Sequence, residues 1–208
     1  QERNTIQPGD MKLRDINGDG KVTAEDQTVI GHGLPIHTGG FTNNFSYKGF
    51  DLSIFFQWSY GNDVINYNRA KLEDLRGQHT NQLASAMNHW TPRVDNGDGT
   101  YTDGNYTNYL CAVNRNLTNL NTSRVVEDAS FLRLKNVQLG YNFPVKLIKR
   151  IGISSLRLYV SGQNLWTWTK YTGYDPEVST RNSALTRGFD YSAYPKTTSY
   201  TFGIKLGL

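Results

Sequence analysis

Apolar and polar residues alternate along much of this chain. From Phe41 to Lys48 the odd positions read Phe41, Asn43, Phe45 and Tyr47, and the even ones Thr42, Asn44, Ser46 and Lys48. From Phe50 to Tyr60 the even positions are Phe50, Leu52, Ile54, Phe56, Trp58 and Tyr60, against Asp51, Ser53, Phe55, Gln57 and Ser59. Successive side chains of a strand point to opposite faces, so period two predicts strands with one apolar and one polar face. Only Gly49 and its neighbours separate these two runs, which predicts a tight hairpin.

A third strand is expected over about Ala129 to Phe143. Its apolar phase is Val137, Leu139, Tyr141, Phe143 in the later half but Leu132 and Leu134 in the earlier half. A change of phase within one strand predicts a β-bulge near Lys135–Asn136, or a part of the strand standing above the membrane. The fourth strand is expected over about Ser155 to Trp168, with Leu156, Leu158 and Val160 on one face and Arg157, Tyr159, Ser161 and Gln163 on the other. The fifth runs from Thr198 to Leu208, with Tyr200, Phe202, Ile204, Leu206 and Leu208 sharing a face.

Alternation is equally a property of soluble sandwiches. Length separates the two classes here. The predicted strands run ~10–12 residues, against ~5–6 in globular sheets and ~9–11 for a strand that crosses a bilayer. Trp58, Tyr60, Tyr141, Phe143, Trp166 and Trp168 stand at strand ends, where interfacial girdles lie. The connections alternate as well: a tight turn, then the long segment 61–128, then the short 144–154, then the long 171–196. That is the pattern of periplasmic turns and extracellular loops, and it puts the C-terminus on the periplasmic side. Residues 1–40 are expected as an extracellular loop and 41–208 as five barrel strands. Five strands cannot close a barrel, so the segment needs the remainder of its own chain. Gln1 in place of an initiator Met, and the want of a signal peptide, fit a piece of a longer protein.

Composition supports β-structure. Of 208 residues 12% are aromatic, with 13 Tyr, 9 Phe and 4 Trp, and 20 are Gly. No run approaches the ~18 apolar residues of a membrane helix, which leaves a barrel open. The net charge of +4 is mild and scattered, Lys146, Lys149 and Arg150 being the one tight group. No clustered basic face predicts nucleic acid as a partner. Cys111 is alone, so no intrachain disulfide forms.

The strongest chemical motif is Asp-rich. Asp15, Asn17 and Asp19 fall at positions 1, 3 and 5 of a calcium loop, with Gly20 at 6, the Lys21 carbonyl at 7, Thr23 at 9 and Asp26 at 12. Alternate oxygens on a Gly-enabled turn converge on a hard cation, Ca²⁺ before Mg²⁺, here as a structural brace. Asp at position 12 is shorter than the usual Glu and binds one-handed. The same residues also make an Asx-turn loop that binds nothing. Asp95-Asn96-Gly97-Asp98-Gly99, followed by Asp103-Gly104, lacks the ligand spacing and reads as a hairpin tip. His32, His37, His79 and His89 show no metal-ligand spacing and are expected on loops or the surface. No nucleophile elbow or carboxylate pair appears, so no enzyme is expected. A helix is expected within Arg69–Trp90, with Leu72, Leu75, Leu83 and Met87 packing. Loop aromatics Trp90, Tyr101, Tyr106, Tyr109, Tyr174, Tyr191 and Tyr194 are candidates for stacking on a ligand or a partner, or for packing within their own loops.

Three segments together resemble the SusC/RagA family of TonB-dependent transporters. The first is Pro8-Gly9-Asp10-Met11-Lys12-Leu13-Arg14-Asp15-Ile16-Asn17-Gly18-Asp19-Gly20, closing with Asp26-Gln27-Thr28-Val29-Ile30-Gly31. The second is Tyr47-Lys48-Gly49-Phe50-Asp51-Leu52-Ser53-Ile54-Phe55-Phe56-Gln57 with Tyr60-Gly61-Asn62-Asp63. The third holds Phe131-Leu132-Arg133-Leu134-Lys135-Asn136-Val137, Ser161-Gly162-Gln163-Asn164-Leu165, Gly173-Tyr174-Asp175-Pro176-Glu177 and the final strand. The resemblance implies an all-β fold, the last antiparallel strands of a transmembrane barrel of about 22 strands. It further implies an N-terminal plug and TonB-contacting segment outside this chain, a SusD-like surface lipoprotein as lid, and import of oligosaccharides or oligopeptides across the outer membrane. One departure is the terminal Leu208, where the family ends in an aromatic.

The competing expectation is a secreted calcium-binding β-sandwich, such as a carbohydrate-binding module. It requires a second sheet to cover the Phe50/Leu52/Ile54/Phe56/Trp58 face, whereas a barrel leaves that face to outer-membrane lipid.

Overall fold

The computed structural model describes residues 8–75, 81–106, 110, 122–178, 180 and 187–208. Among them, ten strands follow one another: β1 (His37–Tyr47), β2 (Phe50–Tyr60), β3 (Asp63–Asn66), β4 (Val94–Asp95), β5 (Tyr101–Thr102), β6 (Val126–Asp128), β7 (Phe131–Asn142), β8 (Ser155–Thr169), β9 (Phe189–Asp190) and β10 (Ser199–Gly207). Helix is confined to α1 (Tyr67–Leu72), α2 (Val145–Ile148) and single 3₁₀ turns. The chain divides into two compact units, Gln1–Gly31 with Ile65–Val126, and His32–Val64 with Glu127–Leu208.

The second unit carries the five long strands as one open antiparallel sheet in the order β1-β2-β7-β8-β10. All five expected strands are present. β1 begins at His37, so the expected boundary at residue 40 falls inside a strand. Gly39 and Gly40 break the visible alternation there, and the rings of Trp58 and Phe55 lie in the space their side chains would fill.

The β1–β2 turn is two residues long, with Lys48 at φ 46 and Gly49 at φ 90. Two positive φ values in a two-residue hairpin match the right-handed strand twist. A side chain at Gly49 would also meet the Asn142 carbonyl at 2.8 Å.

Register places the apolar residues on one face across all five strands. Phe41, Phe56 and Leu134 are aligned, then Trp166; a second row is Phe45, Leu52, Leu139, Val160 and Phe202. The expected bulge is at Lys135: pairing with β2 passes from Phe55↔Asn136 to Phe56↔Leu134. β8 follows the same irregularity with Asn164 at φ 50. The bulge therefore returns Leu132 and Leu134 to the apolar face.

Aromatic rings border this face at both ends. Phe50, Tyr141 and Phe143 stand at the short-turn end, with ring centroids 4.5 and 4.9 Å apart. His37, Tyr60, Trp58, Trp166 and Trp168 stand at the other, where His37 stacks on Tyr60 at 5.1 Å and accepts a hydrogen bond from Trp58 Nε1. From Phe50 to Tyr60 the strand covers about 33 Å, or about 25 Å of height at a tilt of ~40°, the thickness of a barrel's apolar band. Much of the face is exposed, including Phe45, Leu139, Phe202 and Ile204.

The tight β1–β2 turn, the short β7–β8 connection and the C-terminus share one end of the sheet, and Ser154 donates its N–H to the Gly207 carbonyl there. Both long connections leave from the opposite end. Val64, Ala129 and Tyr171 form a small buried core of this unit.

In the first unit the described residues of Arg69–Trp90 do not form one helix. Asn66 caps α1 by accepting the Arg69 N–H, but the helix stops after six residues. The Leu72 carbonyl takes the Leu83 N–H instead of a helical partner. Glu73, buried, is held by Arg69, Arg124 and Ser85, which fixes the chain in a turn. The expected packing role fails for Leu83 and Met87, which are exposed on or beside a 3₁₀ turn, Ala84–Met87. The Asp95–Gly99 run is a hairpin tip as expected, between paired β4 and β5.

A lysine at Ile54 would stand at the middle of the apolar face, whereas one at Ser53 would join the polar face. In the full-length protein, Ile54→Lys should destabilise the folded barrel by about 2–4 kcal/mol and Ser53→Lys by under ~1 kcal/mol. The folded fraction, read as the heat-modifiable band in detergent, checks both; equal loss would contradict the assignment of faces.

Candidate functional site

The polar face of the sheet carries two charge clusters. At the short-turn end, Asp51 of β2 pairs with Arg157 of β8, reaching across β7, and accepts Asn142 Nδ2 at 3.0 Å. Gly140 makes that crossing possible, because a side chain there would lie 2.7 Å from both the guanidinium and the carboxylate.

The larger cluster lies toward the long-connection end. Arg133 of β7, opposite Gln57 of β2, is 2% exposed. Its Nη2 donates to Asp175 at 2.6 Å and its Nη1 to Glu177 at 3.3 Å. Glu177 also accepts Gln57 Nε2 at 3.4 Å, faces Lys135 at 3.9 Å and pairs closely with Lys196. Asp175, 3% exposed, accepts two backbone N–H groups as well, from Glu177 at 2.9 Å and Lys196 at 3.2 Å. The guanidinium carbon lies 5.2 Å from the Phe131 ring centroid. The Tyr174–Glu177 stretch is thereby strapped back onto the polar face. Lys135, the residue released by the bulge, is one of its fastenings.

Burial on its own would raise the Asp175 carboxyl. The Arg133 hydrogen bond, the Glu177 N–H, the Arg133 charge and the Lys196 N–H outweigh it and hold the group below the usual carboxylate range. Nearby, Tyr171 donates its hydroxyl to Asp190 at 2.6 Å. Burial first, and the Asp190 carboxylate next, push that hydroxyl far above its ordinary range, so it remains a donor.

The Asp-rich loop is folded by its own backbone. Asp15 accepts the Gly18 and Gly20 N–H groups at 2.7 and 2.8 Å, Asn17 that of Asp19 and Asp19 that of Lys21. Asp26 accepts Ile16 and Asn17 on one oxygen and Thr23 on the other, which lowers its pKa. Thr23 and Asp26 form a capping box on the turn Ala24–Asp26. Asp26 is buried, while Asn17, Asp19, Lys21 and Thr23 are exposed. Among the described residues no three His, Cys, Asp or Glu side chains gather as a metal-ligating group.

Of the loop aromatics, Tyr101 packs on Arg93 at 4.0 Å, Trp90 is half-buried, and Tyr106, Tyr174, Tyr191 and Tyr194 are exposed. Tyr109, His79 and Cys111 lie outside the described residues. Sequence reasoning placed Arg133, Asp175 and Glu177 in motifs but did not join them. The available signal was a charged residue inside a strand together with two carboxylates flanking a proline.

A five-stranded antiparallel sheet, apolar and aromatic-girdled on one face and charged on the other, with two unpaired edges, is a segment of a transmembrane β-barrel. No family model matches the chain. It is 37% identical over 204 residues to the TonB-dependent receptor P3 of Formosa agariphila, covering 96% of this chain and 19% of that protein. It is 34% identical over 206 residues to the TonB-dependent receptor P39 of the same organism (97% and 19%) and 26% identical over 199 residues to the TonB-dependent receptor SusC of Bacteroides thetaiotaomicron (92% and 17%). The fold superposes on the structure of the RagAB peptide transporter with a TM-score of 0.74 at 29% identity, covering 92% of this chain and 20% of that one. In sequence and in fold, the chain is a segment homologous to the TonB-dependent receptors of the SusC/RagA class. It spans about a fifth of the length of the curated relatives it matches.

Arg133→Gln should leave Asp175 buried without its charged partner and cost about 3–5 kcal/mol. The double variant Arg133→Met/Asp175→Leu should recover most of that loss. Because the folded carboxyl titrates below its unfolded value of ~3.9, its contribution is present above that pH and lost as the pH falls through the folded value. Melting of the full-length barrel at pH 7 and pH 3 checks this: the Asp175→Asn variant should differ from the native protein at pH 7 and much less at pH 3.

Proposed function

We propose that this chain is the C-terminal barrel segment of a TonB-dependent importer that takes oligosaccharides or oligopeptides across the outer membrane. The observation that carries the reading is the two-faced five-stranded sheet, matched over 96% of the chain by a TonB-dependent receptor. In this reading the apolar face meets outer-membrane lipid, the polar face lines the lumen around a plug, and the C-terminus is periplasmic. The upstream chain supplies the remaining strands, the plug and the TonB contact. A SusD-like lipoprotein closes the extracellular side, and the segment performs no catalysis.

Transport chemistry asks little of these residues beyond geometry. The barrel wall holds a polar path through hydrocarbon, and the strap from Tyr174 to Glu177 fixes part of the outer vestibule. Exposed Tyr174 opens that strap, exposed Tyr194 lies two residues before Lys196, which pairs with Glu177, and both suit stacking on sugar rings or peptide side chains.

The full-length protein should fractionate with outer membranes, show a heat-modifiable band and co-purify with a lipoprotein. Deleting its gene should abolish growth on one class of oligomer, glycan or peptide. Recovery in the soluble fraction would end the reading.

The calcium brace is part of the same proposal. Support for it comes from the tight turn at the Asp15–Gly20 stretch, where Asp15 accepts the Gly18 and Gly20 N–H groups. Ca²⁺ added to the full-length protein should slow proteolysis within residues 8–31 several-fold, and Asp19→Asn should remove that protection. Equal cleavage with and without Ca²⁺ would leave an Asx-turn scaffold.

A further inference from the structure

The connection between β7 and β8 departs from what a water-facing turn normally uses. Pro144 precedes α2, a 3₁₀ turn follows at Lys149–Ile151, and Gly152 ends it at φ 77. Ile148, 4% exposed, anchors the run to the rest of the unit. Val145, 56% exposed, borders the same concavity as Asp51, Arg157 and Lys205 of the polar face, whereas Leu147, 67% exposed, and Ile151, 70% exposed, stand out from the run. Two large aliphatics standing well out of one short turn form a patch that an aqueous surface disfavours.

The charges interleaved with them are all of one sign. Lys146, Lys149 and Arg150 are exposed, and among the described residues no acidic group pairs with them. They are also the one tight basic cluster of the chain. The location gives the patch its meaning. The run leaves the sheet directly after Phe143, whose ring meets Tyr141 edge-on at 4.9 Å in the aromatic border of the apolar face. The apolar surface thus continues past the girdle into a turn that adds cations. Aliphatic side chains at the acyl boundary with Lys and Arg reaching outward are the pattern of a membrane-interface segment. Anionic headgroups complement those cations.

We propose that residues 144–151 dock on anionic phospholipid of the leaflet bordering the short-turn end. Leu147 and Ile151 enter the acyl boundary, and Lys146, Lys149 and Arg150 hold headgroup phosphates. The turn then acts as a foot that fixes the height of the barrel in the bilayer. The inference rests on the membrane-barrel reading of the preceding section.

The test uses the full-length protein in nanodiscs of phosphatidylcholine, with and without phosphatidylglycerol. In a background from which every native cysteine, Cys111 included, has been removed, a spin label on Leu147→Cys should collide more with oxygen than with a water-soluble nickel complex. It should lie deeper when phosphatidylglycerol is present. The triple variant Lys146→Gln/Lys149→Gln/Arg150→Gln should retain several-fold less phosphatidylglycerol in native mass spectrometry while keeping its heat-modifiable band. A label open to nickel in both discs would overturn the proposal. So would a label closed to both oxygen and nickel, which would mean protein covers the turn. Equal phosphatidylglycerol retention by the triple variant would overturn it too. Failure of the native chain to enter nanodiscs would instead overturn the barrel reading, and the proposal with it. Because the label site keeps all three cations, it gives a result even where the triple variant does not fold.

Discussion

The register between β2 and β7 is the constraint on which the rest of this structure depends. Side chains alternate with a period of two, so a slip of one residue would turn every apolar side chain of a strand to the opposite face. β7 changes phase midway, and a straight pairing would send either Leu132 and Leu134 or Val137 and Leu139 to the polar side. The bulge at Lys135 absorbs the extra residue and keeps both halves on the apolar face. It also turns Lys135 toward Glu177, so one irregularity serves the membrane surface and the charge cluster together.

The polar face is organised by pairs that skip a strand or recruit a loop. Asp51 and Arg157 meet across β7 because Gly140 leaves room. Arg133 and Gln57, on adjacent strands, take their carboxylates from a connection more than 40 residues further along. Arg133–Asp175 is buried, and a buried pair is poor evidence of stability, since removing charges from water offsets much of their attraction. Their geometric demands are strict, however, and these pairs specify where Tyr174–Glu177 must lie.

Much of the sheet was legible in the chain because alternation, strand length and terminal aromatics all report the same two-faced geometry. The bulge was legible for the same reason, as a change of phase from Leu134 to Val137. The start of β1 was not: Gly39 and Gly40 have no side chains to show a phase, and their places are filled by rings from β2. The helix within Arg69–Trp90 was misjudged because local propensity carries no information about Arg124, which helps hold Glu73 from 51 residues away. The Arg133 cluster was invisible for a similar reason. Its members are individually ordinary, and they meet only when β2 pairs with β7 and the Tyr174–Glu177 stretch folds back onto that pair. The Asp-rich loop shows the opposite limit, since its spacing is plain while its carboxylates accept hydrogen bonds from backbone N–H groups of the loop itself.

The strand pairing also has a kinetic meaning. β1 with β2, and β7 with β8 and β10, are joined through neighbours in sequence or by moderate loops. The seam between β2 and β7 joins residues as far apart as Phe50 and Tyr141. Closing a long loop costs entropy that grows only slowly with its length, but non-local pairing is the slow event in sheet formation. The sheet is thus expected to assemble as two blocks. The Asp51–Arg157 pair links the outer strands of that seam, so it can form only after the blocks have met in register. It therefore marks the completed junction.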